Sequence, residues 1–99
     1  MIDSNKVYEY LLMIPNGKVV TYKMIAEYLG NKYYARRVGT ILHHNPDTSK
    51  YPCYKVVNSK GQLSIHFKDG IETQKRKLEK EGIEVNNYII DLNQYKWRQ

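Results

Sequence analysis

The stretch TYKMIAEYLGNKYYARRVGTILHH, residues 21–44, decides the fold. Thr21 suits a helix N-cap, because its hydroxyl can accept from an amide of the first helical turn. It opens a short helix from Tyr22 to Leu29 with Ile25 and Leu29 turned inward. Gly30 supplies the left-handed residue that commonly closes a helix. After a polar turn through Asn31 and Lys32, a second helix is expected from about Tyr34 to His44. Its Ala35, Val38, Ile41 and Leu42 recur at helical spacing and form one apolar face, leaving Arg36, Arg37 and Thr40 to look elsewhere. Two short helices joined by a tight glycine-containing turn, the second of them basic, make a helix-turn-helix pattern, although any small helical hairpin shares it.

Upstream, a helix capped by Asp3 or Ser4 carries Val7, Leu11 and Ile14 on one side, and Pro15-Asn16-Gly17 ends it. Lys18 to Val20 reads as a brief extended piece. Downstream, Asn45 to Pro52 is a loop, and two short strands, Lys55 to Val57 and Gln62 to Ile65, flank the turn Asn58-Ser59-Lys60-Gly61. A polar loop through Lys68, Asp69 and Gly70 leads to a helix from about Thr73 to Glu81, closed by Gly82. Gln74, Lys75, Arg76 and Lys77 are expected to face solvent there, and Leu78 to pack inward. Ile83 to Val85 and Tyr88 to Ile90 around Asn86-Asn87 resemble a small hairpin, before a terminal turn through Tyr95 and Trp97. The expected class is mixed α/β, mainly helical: one winged helix-turn-helix-like domain over residues 1–99 with a few short strands.

Charge is unevenly distributed. Between Lys18 and Lys60 eight basic residues face only Glu27 and Asp47, so that segment alone carries the whole net charge of +6. Outside it, eight basic and eight acidic residues cancel. A neutral frame with one positive section suggests a polyanion partner, most simply nucleic acid, against the plainer alternative of a solvated basic surface. The ten tyrosines can stack on bases or donate to phosphates, but most are expected to be core and rim residues. No apolar run approaches the roughly 18 residues that span a bilayer, and the first residues lack the pattern of a signal peptide. A cytoplasmic monomer without membrane association is the default expectation.

Cys53 is the lone cysteine, set in Tyr51-Pro52-Cys53-Tyr54-Lys55-Val56-Val57, so an internal disulfide is impossible. It is either a small buried hydrophobe or a covalent acceptor. His43 and His44 are adjacent on a helix and point about 100° apart, with no acidic or thiol partner at ligand spacing, so no metal or other cofactor is expected.

Taken together, Ile14-Pro15-Asn16-Gly17-Lys18-Val19-Val20-Thr21-Tyr22, Ile25-Ala26, Ala35-Arg36-Arg37-Val38-Gly39, Asn45-Pro46, Pro52-Cys53, Val56-Val57 and Glu81-Gly82 resemble, in order and spacing, the DNA-binding domain of the O6-alkylguanine-DNA alkyltransferase family. The resemblance covers nearly the whole chain. It implies minor-groove docking on double-stranded DNA, flipping of an alkylated guanine and, in the enzymes, irreversible transfer of the alkyl group to a cysteine. By that resemblance Arg36 fills the gap left by the flipped base and Tyr22 crowds the adjacent phosphate, with Thr21, Arg37 and Lys55 as further DNA contacts. Cys53 stands at the acceptor position, Tyr54 and Glu81 belong to its relay, and Asn45 holds the turn before the site. Tyr22, Cys53, Tyr54, Val56 and Ser64 are expected about the lesion pocket.

Two features depart from the enzymes. Their Pro-Cys-His-Arg places a histidine where this chain has Tyr54. A thiol with a pKa of about 8.5 needs a base at neutral pH, and a phenol near 10 is a poor one, although it could relay a proton toward Glu81 if geometry allowed. Lys55 stands in place of the arginine. From Asn58 onward, through Gln74-Lys75-Arg76-Lys77-Leu78 to Tyr95 and Trp97, the chain is more similar to the alkyltransferase-like proteins, single-domain relatives that hold the lesion for nucleotide excision repair proteins. The expected function is therefore lesion sensing with at most slow transfer to Cys53. The alternatives are a suicidal methylated-DNA-protein-cysteine S-methyltransferase and a non-catalytic helix-turn-helix regulator.

Overall fold

The computed structural model describes residues 4–64 and 70–98. Its elements are α1 (Ser4–Met13), β1 (Val20–Thr21), α2 (Tyr22–Tyr28), α3 (Ala35–His43), β2 (Val56–Val57), α4 (Ile71–Lys80) and α5 (Leu92–Tyr95), with 3-10 turns at Lys32–Tyr34 and Cys53–Lys55.

The helix-turn-helix forms as its sequence dictates. Thr21 Oγ1 accepts from the Met24 amide at 3.1 Å and starts α2. Gly30, at φ +101°, reverses the chain so that the Asn31 amide reaches Ala26 O at 3.0 Å. Asn31 then caps the 3-10 turn through its side-chain oxygen, 2.9 Å from the Tyr33 amide. Val38 and Leu42 of α3 are buried with Val7, Leu11 and Ile25, while Arg36, Arg37 and Thr40 stay exposed.

β1 and β2 pair in parallel, Val20 with Val56 and Thr21 with Val57. Because successive strand residues point to opposite sides, this short pair partitions the molecule. Val20 and Val56 pack into a core built on α1, α2 and α3, whereas Val19 and Val57 pack into a second core with Leu63, Leu78, Ile83, Val85 and Ile90. The C-terminal segment clamps the partition: the Val19 amide donates to Tyr95 O at 2.9 Å and Val19 O accepts from the Trp97 amide at 2.8 Å.

Five expectations change. α4 begins at Ile71 rather than Thr73, and Gln74 is fully buried instead of facing solvent. Lys55 lies in the 3-10 turn, not in a strand. Among described residues, the stretch after Gly61 contributes only an isolated bridge, Gln62 to Ile89. The C-terminal hairpin turns on Asn87 and Tyr88, at φ +52° and +61°, with Asn86 and Ile89 exchanging both backbone hydrogen bonds. Two successive positive φ values are what a two-residue hairpin turn needs to match strand twist, so Tyr88 belongs to the turn. Asp3, Ile65, Lys68 and Asp69 lie outside the described residues. Gly61 is required where it stands: its φ is +80° and a Cβ would come within 2.2 Å of Ile90 O. Among described residues no helix is long and apolar enough to cross a membrane.

Candidate functional site

The site is built around the 3-10 turn Cys53–Lys55. Asn45, fully buried, holds the preceding loop: its Nδ2 donates to Tyr51 O at 2.9 Å, and its Oδ1 accepts from the Asp47 amide at 2.9 Å. The turn itself closes through the Lys55 amide to Pro52 O at 3.1 Å. With three residues per turn, neighbouring side chains of such a segment diverge by about 120°. Cys53 accordingly joins the first core, Tyr54 packs against the second, and Lys55 is buried.

Tyr54 and Lys55 converge on Glu81. Oε1 of Glu81 accepts from Lys55 Nζ at 3.0 Å and from the Gly17 amide at 2.9 Å, and Oε2 accepts from the Tyr54 hydroxyl. Lys55 Nζ also donates to Ile14 O at 3.2 Å and Pro15 O at 2.9 Å, so an ammonium with three protons meets three acceptors. Burial pushes the Glu81 carboxyl up, but the Tyr54 hydroxyl, the Gly17 amide and the Lys55 ammonium outweigh it and hold the pKa below 4.5. Tyr54 moves the opposite way. Burial, then its bond to the Glu81 carboxylate and that group's charge, push the phenol well above 10.0. The Tyr54 hydroxyl therefore stays protonated at neutral pH and donates to Glu81.

On the other side of the turn lies an open cavity of about 450 Å³. Cys53, Val56, Ser64 and Tyr22 line it, as expected, and Arg36 stands in its wall from α3. Burial raises the Tyr22 pKa most, a hydrogen bond with the Ser64 side chain pulls it back, and Cys53 adds a smaller upward push. Gly39, Thr40, Leu42, His43 and Gln74 complete the wall. His43 had a legible signal, since positions 36, 40 and 43 share one helical face. Gln74 had a weaker signal of the same kind, because it shares a helical face with Ile71 and Leu78 although its neighbours in sequence are charged.

Other expected site residues stand elsewhere. Tyr54 is not in the cavity wall, because the turn directs it to Glu81. Lys55, expected at the DNA, is only 4% exposed, and its ammonium is bound to Glu81 and two backbone carbonyls. Thr21 is buried and its hydroxyl caps α2. Arg37 is exposed on α3, outside the cavity. Among described residues no three His, Cys, Asp or Glu side chains gather as a metal site would require.

Comparison with known proteins gives a consistent result. Residues 4–83 match the family model for the DNA-binding domain of 6-O-methylguanine DNA methyltransferase. A DNA base-flipping protein of Vibrio parahaemolyticus is 44% identical, the match covering 94% of this chain and 93% of that one. Alkyltransferase-like protein 1 of Schizosaccharomyces pombe is 38% identical over 94% of this chain and 92% of its own. The crystal structure of S. pombe Atl1 in complex with damaged DNA containing O6-carboxymethylguanine superposes with a TM-score of 0.90 at 37% identity, covering 97% of this chain and 94% of that one. The helix-turn-helix, the buried Asn45 loop and the Cys53 turn thus occur in a chain that belongs to the family of the 6-O-methylguanine DNA methyltransferase DNA-binding domain.

Proposed function

We propose that this protein recognises O6-alkylguanine in double-stranded DNA by turning the nucleotide out of the stack into the cavity beside Cys53, and that it acts as a lesion sensor with at most slow transfer of the alkyl group to that thiol. The cavity carries the reading. Its volume of about 450 Å³ falls within the roughly 300–1,000 Å³ of small-molecule sites. Its wall brings together an exposed arginine on a basic helix, an aromatic ring and a thiol. Flipping a base costs a few kcal/mol. Arg36, planar and cationic, is suited to offset that by occupying the vacated stack, with Tyr22 helping to turn the nucleotide. Arg37, exposed beside Arg36, completes the proposed DNA contacts, and Thr21 serves them by capping the helix that begins at Tyr22.

The same geometry argues against rapid transfer. For transfer, the sulfur must lose its proton, bond to the alkyl carbon and break the O6–carbon bond, with the released guanine taking up a proton. Tyr54, which stands where the enzymes carry a histidine, is occupied as a donor to Glu81. The thiolate rather than the thiol is the nucleophile, and a phenol is a poorer base than an imidazole for forming it at neutral pH. A lesion held without repair must be handed on, so nucleotide excision repair proteins are the partners this function implies, meeting a monomer in the cytoplasm or at the nucleoid.

Intact-mass spectrometry with matched binding measurements tests this. The protein is expected to bind an O6-methylguanine duplex more tightly than its unmodified counterpart and to keep its mass over a short incubation. Stoichiometric gain of about 14 Da on the Cys53 peptide within minutes would make it a transferase instead, since a methyl then replaces the thiol hydrogen. Equal affinity for both duplexes would overturn lesion recognition and favour a plain DNA-binding regulator.

A further inference from the structure

We infer that Gln74 is a positioning residue for lesion selection: its carboxamide sets the spacing between the Cys53 wall of the cavity and the Ser64–Tyr22 wall opposite. The inference rests on the proposed lesion recognition. Gln74 is 0% exposed on a helix whose other polar residues reach solvent, and no part of the Glu81 network uses it. Its Nε2 donates to Tyr54 O at 3.1 Å and to Val56 O at 3.2 Å, gripping the backbone on both sides of Lys55 just after the thiol. Its Oε1 accepts from the Ser64 amide at 3.0 Å.

A primary carboxamide offers two donors on one atom and an acceptor on the other, and all three directions are used. Asp and Glu lack the paired donors, Lys and Arg lack the acceptor, and Asn is one methylene short. The chain of bonds continues beyond Gln74, because the Ser64 side chain is hydrogen-bonded to Tyr22. One buried amide therefore links the turn that carries Cys53 to the ring expected to turn the nucleotide, passing round the cavity wall. A base entering the cavity is gauged between two surfaces whose separation this amide fixes.

Two isosteric substitutions and one measurement on the unaltered protein test this. In Gln74→Met the bulk remains and all three bonds are lost. The preference for an O6-methylguanine duplex over the unmodified duplex is expected to fall about tenfold, while affinity for the unmodified duplex stays within about twofold, as expected when buried polar groups lose their partners without loss of the DNA-binding surface. Gln74→Glu, buried and hence protonated, keeps an acceptor for the Ser64 amide and one donor for the two carbonyls, so its preference should fall by less. Should either variant fail to fold, 15N spectra of the unaltered protein still decide: the Gln74 side-chain amide signals are expected to move on adding the lesion duplex and to stay in place with the unmodified one. A preference unchanged in Gln74→Met, or amide signals indifferent to the lesion in a protein that does prefer it, would reduce Gln74 to a scaffold. If the unaltered protein bound both duplexes equally, the proposed function would fall, and this inference with it.

Discussion

The two sides of the Cys53–Lys55 turn are built on opposite principles. On the Glu81 side, polar groups find their partners inside the protein: the carboxylate accepts from Lys55, Gly17 and Tyr54, and the ammonium is fully engaged. On the cavity side, an arginine, a thiol and an aromatic ring border open space. The first side spends its hydrogen-bonding capacity on folding, whereas the second keeps surface available for a ligand. Tyr54 makes the contrast sharp, because it directly follows Cys53 in the chain and yet turns its hydroxyl to Glu81 on the closed side.

The largest expected effect comes from breaking the closed side. Lys55→Met leaves the Glu81 carboxylate without its cation, and removing one partner of a buried pair costs about 3–5 kcal/mol. Urea denaturation should show a matching drop in midpoint at unchanged slope. A loss below about 1 kcal/mol would place the pair among weak surface contacts. Breaking the open side should do the reverse. Arg36→Ala should leave stability within about 0.5 kcal/mol, as exposed helix positions do, yet weaken lesion-duplex binding about tenfold by fluorescence anisotropy, because the residue proposed to fill the vacated stack is gone. Comparable losses of stability in both variants would erase the distinction.

The smallest effect is on pH. Glu81 has a folded pKa below its ordinary 4.5, so its contribution to stability is present above that value and lost as pH falls through the lower folded one. Tyr54 has a folded pKa above 10.0, so its contribution is present below that value and lost as pH rises through the higher folded one. Thermal melts should therefore show a plateau across neutral pH with decline at both ends. In Glu81→Gln the acid-side decline should shrink, and an identical acid limb in that variant would remove Glu81 from the account.

Much of this was legible in the sequence. Local signals placed Thr21, Gly30 and the apolar face of α3 within a residue or so of where they stand, because caps and helical periodicity act over a few neighbours. Tyr22, Cys53, Val56 and Ser64 were expected together and do share one cavity. What was hidden depends on partners distant in sequence. Lys55 reads as an exposed cation until Glu81 is brought against it from 26 residues further along, and Gln74 reads as one more polar residue until three backbone groups close on it. The same limit applies to the strands: Val20 pairs with Val56 because two cores need a divider, which no period within either segment announces.

The hydrogen bond between the Gly17 amide and Glu81 joins residues 64 positions apart. Closing so long a loop must precede any gain from the contact, although each doubling of loop length adds only about 0.6 kcal/mol. The α2–α3 unit, by contrast, is assembled from contacts within a couple of dozen residues. The element with the positive charge is thus local, and the chamber beside it depends on the far end of the chain. Any state in which the Glu81 region has come undone retains the means to hold a polyanion through α3 and loses the means to tell one base from another. Discrimination should fail before adhesion as the molecule loosens.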